Sequence, residues 1–188
     1  MNHRTTILTV SVLAVIAIVG GVVYVGWPAR PILQRKSPVG VSTVVLPPDP
    51  GEAGKATLEG IDSDGDGVRD DVQRYIALTY PESERTRAAL TQQIIVDQNV
   101  LLNAKNNQEL EVVAQSIADV QNCMAYIFGS VLEARKIRKQ LEEEIFNTPE
   151  RIEAWELANK HLIRQQVTSA RTGNKKSRCS FNPDEMRN

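Results

Sequence analysis

The sequence contains few aromatic residues, few histidines and cysteines, and almost no net charge. Aromatic residues make up 5% of the 188 residues, and there are two histidines and two cysteines. The core of a folded domain must therefore consist mainly of Leu, Ile, Val and Ala, which suits helices packed against one another. The net charge of -1 provides no general attraction to nucleic acid, and no basic stripe with interleaved aromatic residues is present, so we expect no nucleic-acid partner.

Charged residues are also missing from a long segment near the N-terminus. Residues 5–29 contain none, and Ile7 to Trp27 are almost wholly apolar. About 20 such residues are enough to cross the hydrocarbon core of a bilayer, so we predict an uncleaved membrane anchor over residues 1–29. A cleaved signal peptide is the alternative, but its apolar region would usually span about 7–15 residues, and no Ala-x-Ala cleavage site follows the segment.

Two signals conflict on which side of the membrane the rest of the chain lies. The basic residues that follow the anchor, Arg30, Arg35 and Lys36, outnumber Arg4 and the amino terminus before it, and this asymmetry favours a cytoplasmic C-terminal part. A calcium loop and a pair of cysteines, both described below, favour export. We predict an exported, periplasmic or extracellular, C-terminal part.

Proline is concentrated in one stretch that follows the anchor. Six of the nine prolines lie between Pro28 and Pro50. Because proline fixes φ and removes a backbone donor, we predict an extended spacer over residues 30–59. A helical domain would then occupy residues 60–173, followed by a C-terminal tail over residues 174–188.

The apolar periodicity beyond Gly60 predicts an all-α fold. A first helix is expected over residues 68–79, and Pro81 suits the first position of a second helix. The second helix carries one apolar stripe, formed by Leu90, Ile94 and Leu101. Four or five amphipathic helices with short connections predict a small antiparallel bundle that follows a calcium loop.

The later helices have clear start and stop signals. Asn106, followed three residues later by a glutamate, resembles a capping box that opens a third helix with an apolar seam spaced by three and four residues. Gly129 interrupts the pattern before a fourth helix. Thr148 and Pro149 suit the N-cap and first position of a last helix. The predicted core face of that helix carries Ile152, Trp155, Ala158 and Leu162. Gly173 closes that helix.

One segment, residues 62–73, has the spacing of a calcium-binding loop. Asp62, Asp64 and Asp66 occupy loop positions 1, 3 and 5, so that their carboxylates converge. Calcium takes 6–8 oxygen ligands in such loops. Gly67 lies at position 6, where the sharp turn requires positive φ. The predicted Ca²⁺ ligands are Asp62, Asp64, Asp66, the backbone carbonyl of Val68, Asp70 and Gln73.

This segment resembles the DxDxDG calcium loops of the EF-hand, dockerin and thrombospondin type 3 families. The longer block GIDSDGDGVRDDVQRYIALTYP is similar to one in uncharacterised bacterial exported proteins. The resemblance implies metal binding and no particular activity. Gln73 stands at position 12, where an EF-hand has a bidentate Glu, so we expect a dissociation constant of about 10⁻⁴–10⁻³ M. Asp71 is the alternative ligand for completing the site.

The cysteines offer a second constraint on the fold. In an oxidising compartment Cys123 and Cys179 could form a disulfide that attaches the tail to the helices. Two cysteines and one usable histidine do not make a four-ligand zinc site. The run from Arg135 to Glu144 contains oppositely charged pairs four residues apart, which is typical of a solvated helix face.

The sequence alone names no biological role. We expect a membrane-anchored, non-enzymatic interaction or scaffolding module with an unknown protein partner. The alternatives are an envelope enzyme, whose titratable groups would cluster around Glu156 and His161, and a weak calcium sensor. The apolar seam of the third helix suits a homodimer as well as an internal core, so the oligomeric state stays open.

Overall fold

The computed structural model describes residues 45–164 and 175–188. These residues form a bundle of five α-helices and no strand, which confirms the all-α prediction. The helices are α1 (Asp70–Thr79), α2 (Glu84–Leu102), α3 (Asn107–Ile127), α4 (Val131–Ile145) and α5 (Pro149–Arg164). Short 3-10 helices are found at Gly51–Lys55, Lys175–Arg178 and Pro183–Glu185. None of the helices in the described part of the chain has the length and apolarity that a membrane span requires, and the predicted anchor lies outside that part.

The helix starts follow local capping chemistry. The side chains of Asn106 and Thr148 accept hydrogen bonds from the backbone N–H three residues ahead, as the sequence predicts. Gly129 has φ 78° and separates α3 from α4. The prediction that Pro81 opens the second helix is wrong. That helix starts at Glu84, because the Ser83 hydroxyl accepts from the backbone N–H of Thr86 at 3.1 Å.

Helix α2 lies at the centre of the bundle and contacts each of the other four helices. The predicted stripe of Leu90, Ile94 and Leu101 is buried. The expectation of a single buried stripe is nevertheless incomplete, because polar side chains on the same helix are buried as well. These are Thr86, Gln92, Gln93, Asp97 and Gln98. A helix surrounded by neighbours must find partners for such groups inside the protein.

The C-terminal residues 175–188 lie against α2 and α3. The predicted disulfide between Cys123 and Cys179 is present, with a Cα–Cα distance of 4.8 Å. The buried amide of Gln92 donates to the carbonyl of Arg178 at 3.0 Å and accepts from the backbone N–H of Ser180 at 2.9 Å. Arg85 donates to two further carbonyls of this segment. Several independent contacts therefore hold the C-terminal segment in place.

The core face of α5 differs from the prediction at one end. Ala158 and Leu162 are buried, but Ile152 is 46% exposed. Its neighbour Arg151 is fully buried instead. The apolar periodicity did not reveal this exchange, because the contacts that bury Arg151 come from the loop that precedes α1.

Candidate metal centre

Three carboxylates converge at the start of the Asp-rich loop. One oxygen from each of Asp62, Asp64 and Asp66 can be chosen so that all three lie within 4.8 Å of one another. Asp62 and Asp64 are exposed and Asp66 is half-buried, so a cation can reach the cluster from solvent. The spacing of two residues produces this convergence, as predicted.

Asp62 holds the loop in its folded shape. Its carboxylate accepts hydrogen bonds from the backbone N–H of Gly65 at 2.8 Å, Asp66 at 3.2 Å and Gly67 at 2.9 Å. Gly67 has φ 91°, which confirms the positive φ expected at position 6. A loop closed in this way keeps the three carboxylates together despite their mutual repulsion.

Gln73 reaches the cluster from the first turns of α1. Its Nε2 donates to Oδ2 of Asp64 at 3.1 Å and to Oδ2 of Asp66 at 3.3 Å. The hydrogen bond from Gln73 is the main reason why the pKa of Asp64 lies below its ordinary value. Oε1 of Gln73 is buried and has no hydrogen-bond partner. A half-turn of the amide would place this oxygen, a good ligand for a hard cation, between the two carboxylates.

Asp70 and Val68 lie beneath the cluster and are almost completely buried. One oxygen of Asp70, Oδ1, accepts from the backbone N–H of Ser63 at 2.9 Å and from its hydroxyl at 3.2 Å. The other oxygen, Oδ2, is buried without a partner. A buried carboxylate oxygen normally has a donor or a cation beside it. The converging set of carboxylates nevertheless consists of Asp62, Asp64 and Asp66, and Asp70 is not part of it.

Asp71, the alternative ligand, belongs to a different cluster. Nε and Nη2 of Arg69 donate to its two carboxylate oxygens at 2.9 and 3.1 Å, and the amide of Asn147 donates to Oδ2 at 3.0 Å. Burial alone would raise the pKa of Asp71, but Arg69 and Asn147 outweigh burial and hold the pKa below its ordinary value. Of the two candidates for completing the site, the structure places Gln73 at the carboxylate cluster.

Two buried arginines support the loop from below. Arg69 is 1% exposed and donates to the carbonyls of Glu144 and Ile145 at the end of α4, at 2.7 and 3.0 Å. Arg151 is fully buried and donates to Asn147 and to three carbonyls that precede the loop. Those carbonyls belong to Gly54, Leu58 and Thr57. The loop is thus fastened to the ends of α4 and α5.

Gly60 lies where the two arginines meet. It has φ 70°, and a Cβ added there would come within 2.5 Å of Cδ of Arg69 and 2.9 Å of Nη2 of Arg151. Only glycine leaves room for both side chains in this conformation. In the sequence, Gly60 marks only the boundary of the helical pattern, and no motif singles out either arginine.

The described side chains at the cluster offer carboxylate and amide oxygens as metal ligands. Carboxylate and amide oxygens suit hard cations such as Ca²⁺ and Mg²⁺, whereas zinc prefers cysteine and histidine. A bent loop that supplies several carboxylates from one short segment matches the flexible coordination of Ca²⁺ better than the strict octahedron of Mg²⁺. The cluster could therefore hold a metal ion, and its oxygen ligands suit a hard cation.

The residues considered for an enzymatic role lie on α5 and α3. Glu156 is exposed and His161 is half-buried on α5. Cys123 is bonded to Cys179, so it offers no thiol. Comparison of the chain with protein-family models, curated proteins and solved structures finds no match.

Proposed function

We propose that this protein is a calcium-binding helical module, tethered to a membrane by residues 1–29 and exported. The observation that supports it most is the convergence of Asp62, Asp64 and Asp66 within 4.8 Å, with the amide of Gln73 against two of them. This arrangement fits the resemblance to DxDxDG calcium loops. The ion would be structural, because the same loop is bonded to the ends of two helices.

Export is supported by the disulfide and by the expected affinity. Disulfides persist in oxidising compartments outside the cytosol, and Cys123 is bonded to Cys179. A calcium site with a dissociation constant of about 10⁻⁴–10⁻³ M is occupied outside cells and empty in cytosol. Acid-quenched alkylation of whole cells should find no free thiol in this protein. Two free thiols would place the domain in the cytosol.

The role we propose for the module is to present an interaction surface for a protein partner rather than to catalyse a reaction. A structural rather than catalytic role for the loop is supported by the three backbone N–H groups that donate to the Asp62 carboxylate. Such a carboxylate shapes a loop, and a cation beside it would stabilise that shape. Crosslinking at native abundance should recover a partner in calcium and less of it in chelator.

The calcium site is tested by thermal unfolding of the full chain in neutral lipid nanodiscs. The unfolding temperature should rise in calcium relative to chelator, since a ligand at 100 times its dissociation constant stabilises the folded state by about 2.7 kcal/mol. Asp64→Asn should abolish the rise. Glu153→Gln removes one exposed carboxylate from α5 and serves as the matched control, which should keep the rise.

Two results would overturn the metal assignment. One is an unfolding temperature that calcium leaves unchanged in the parent protein. The other is an equal rise in the parent and in Asp64→Asn, which would mean that calcium acts elsewhere. Magnesium at the same concentration should stabilise less than calcium, because it demands a tighter octahedral geometry.

A further inference from the structure

A groove of about 780 Å³ lies among α2, α3, α4 and α5. Its volume falls within the range of about 300–1,000 Å³ that is usual for small-ligand sites. None of its lining residues belongs to the calcium loop. The walls include the apolar side chains of Ile117, Met124, Val131, Leu162 and Ile163.

The floor of the groove is a complete polar network. Asp97 is 2% exposed and accepts from Nη2 of Arg138 at 3.1 Å and from Nε2 of Gln93 at 3.0 Å. Arg138 also donates to Glu142 at 2.6 Å and lies over the ring of Trp155, 5.1 Å from its centroid. The two carboxylates of the groove therefore share one guanidinium.

The rim of the groove carries two exposed basic side chains. Arg135 and Lys139 are exposed, lie one turn apart on α4 and line the groove. Neither forms an ion pair within residues 45–164 and 175–188, whereas Lys136 on the same helix pairs with Glu133 at 2.7 Å. The groove thus has three cations against two carboxylates, an excess of one positive charge.

We propose that this groove binds a small amphipathic anion, an alkyl or aryl chain that carries one carboxylate. The carboxylate would lie on Arg135 and Lys139, and the apolar chain would cover Val131 and Ile163. Ile163 is 76% exposed, so a ligand there would remove apolar surface from water. A single excess charge suits a monocarboxylate better than a phosphate monoester, whose charge is about -1.5 to -2. The inference does not rest on the calcium site.

The experiment uses the full chain in neutral lipid nanodiscs and the fluorescence of Trp155, which lines the groove. The chain has two tryptophans, so Trp27→Phe is introduced to leave Trp155 as the reporter. The probes are 4-phenylbutyrate and its isosteric alcohol and amine. The carboxylate should change the fluorescence saturably and bind at least about tenfold more tightly than either analogue, because charge-assisted hydrogen bonds are lost in both.

Variants distinguish binding of the probe in the groove from partitioning of the probe into the nanodisc lipid. Arg135→Gln combined with Lys139→Gln should weaken carboxylate binding about tenfold, and Lys136→Gln, the control on the same helix, should leave it unchanged. Ile163→Asp, at an exposed position that tolerates the charge, should weaken it as well. Equal binding of the alcohol, no saturable signal, or equal affinity in the double variant and in Lys136→Gln would each overturn the proposal. Helical content by circular dichroism verifies that every variant is folded.

Discussion

The two halves of the Asp-rich segment differ in where their side chains lie. In the outer half, residues 62–67, five of the six residues are exposed, whereas in the inner half, residues 68–73, four of six are buried and none is exposed. The outer half directs its carboxylates to solvent, where an ion can arrive. The inner half belongs to the core. One short segment is thus both a candidate metal loop and a structural junction, and mutations can separate the two.

The largest expected effect comes from removing the arginine of the inner half. Arg69→Met leaves two carbonyls of α4 without a donor and Asp71 without its cation. Breaking a buried ion pair on one side costs about 3–5 kcal/mol, and we expect the free energy of unfolding to fall by about 4 kcal/mol. Denaturant unfolding in chelator measures it. Arg135→Met, at an exposed arginine, should change the free energy of unfolding by less than about 0.5 kcal/mol. Similar losses of stability in both variants would show that the buried position of Arg69 does not matter for the fold.

Gly60→Ala should produce the next largest loss. The new Cβ would collide with both arginines and would also place alanine at φ 70°. Gly129→Ala is the matched control, because Gly129 has φ 78° and no atom within 4 Å of the added Cβ. A left-handed alanine alone costs about 1 kcal/mol, so the control measures backbone strain. We expect about 3 kcal/mol for Gly60→Ala, and equal losses would show that the crowding is harmless.

Asp71→Asn should change the pH dependence of stability. The folded-state pKa of Asp71 lies below its ordinary value of 3.8. Its stabilising effect is therefore complete above that value and is lost as the pH falls through the lower, folded-state pKa. The variant should lose about 2 kcal/mol at pH 7. The difference between parent and variant should narrow as the pH falls below 3.8; a constant difference from pH 7 to pH 2 would contradict this assignment.

The smallest expected effect on stability belongs to the outer half. Asp64→Asn in chelator should change the free energy of unfolding by less than about 0.5 kcal/mol, because the Asp64 side chain is exposed and asparagine keeps one oxygen that can accept from the backbone N–H of Asp66 or from the amide of Gln73. The same variant should lose calcium stabilisation. Equilibrium unfolding in chelator and in calcium gives both numbers. A large loss in chelator would show that the outer half also supports the fold.

The outer half could be predicted from sequence because its chemistry is local. The spacing of Asp62, Asp64 and Asp66 fixes their convergence, and Gly67 fixes the turn. The N-caps Asn106 and Thr148 were predictable for the same reason, since each bonds a backbone group three residues ahead.

The inner half was not predictable in this way. Arg69 and Arg151 bond to backbone carbonyls that lie 75 to 97 residues away in sequence. Every residue has a carbonyl, so no residue type marks such a partner. The buried amide of Gln92 was missed for the same reason, because its partners are backbone groups of the C-terminal segment. Arg69 lies among the five aspartates of residues 62–73, but that placement does not distinguish an ion pair on the surface from a buried one.

The hydrogen bonds that hold residues 47–58 have a mechanical consequence. The guanidinium of Arg74 donates to the carbonyl of Pro47 at 2.7 Å. Arg151 donates to the carbonyls of Gly54 and Thr57. A force applied to the chain before Pro47 would have to break the hydrogen bonds of Arg74 and then those of Arg151 before it acted on Asp62. The carboxylate cluster would therefore keep its geometry until the hydrogen bonds of both arginines were broken.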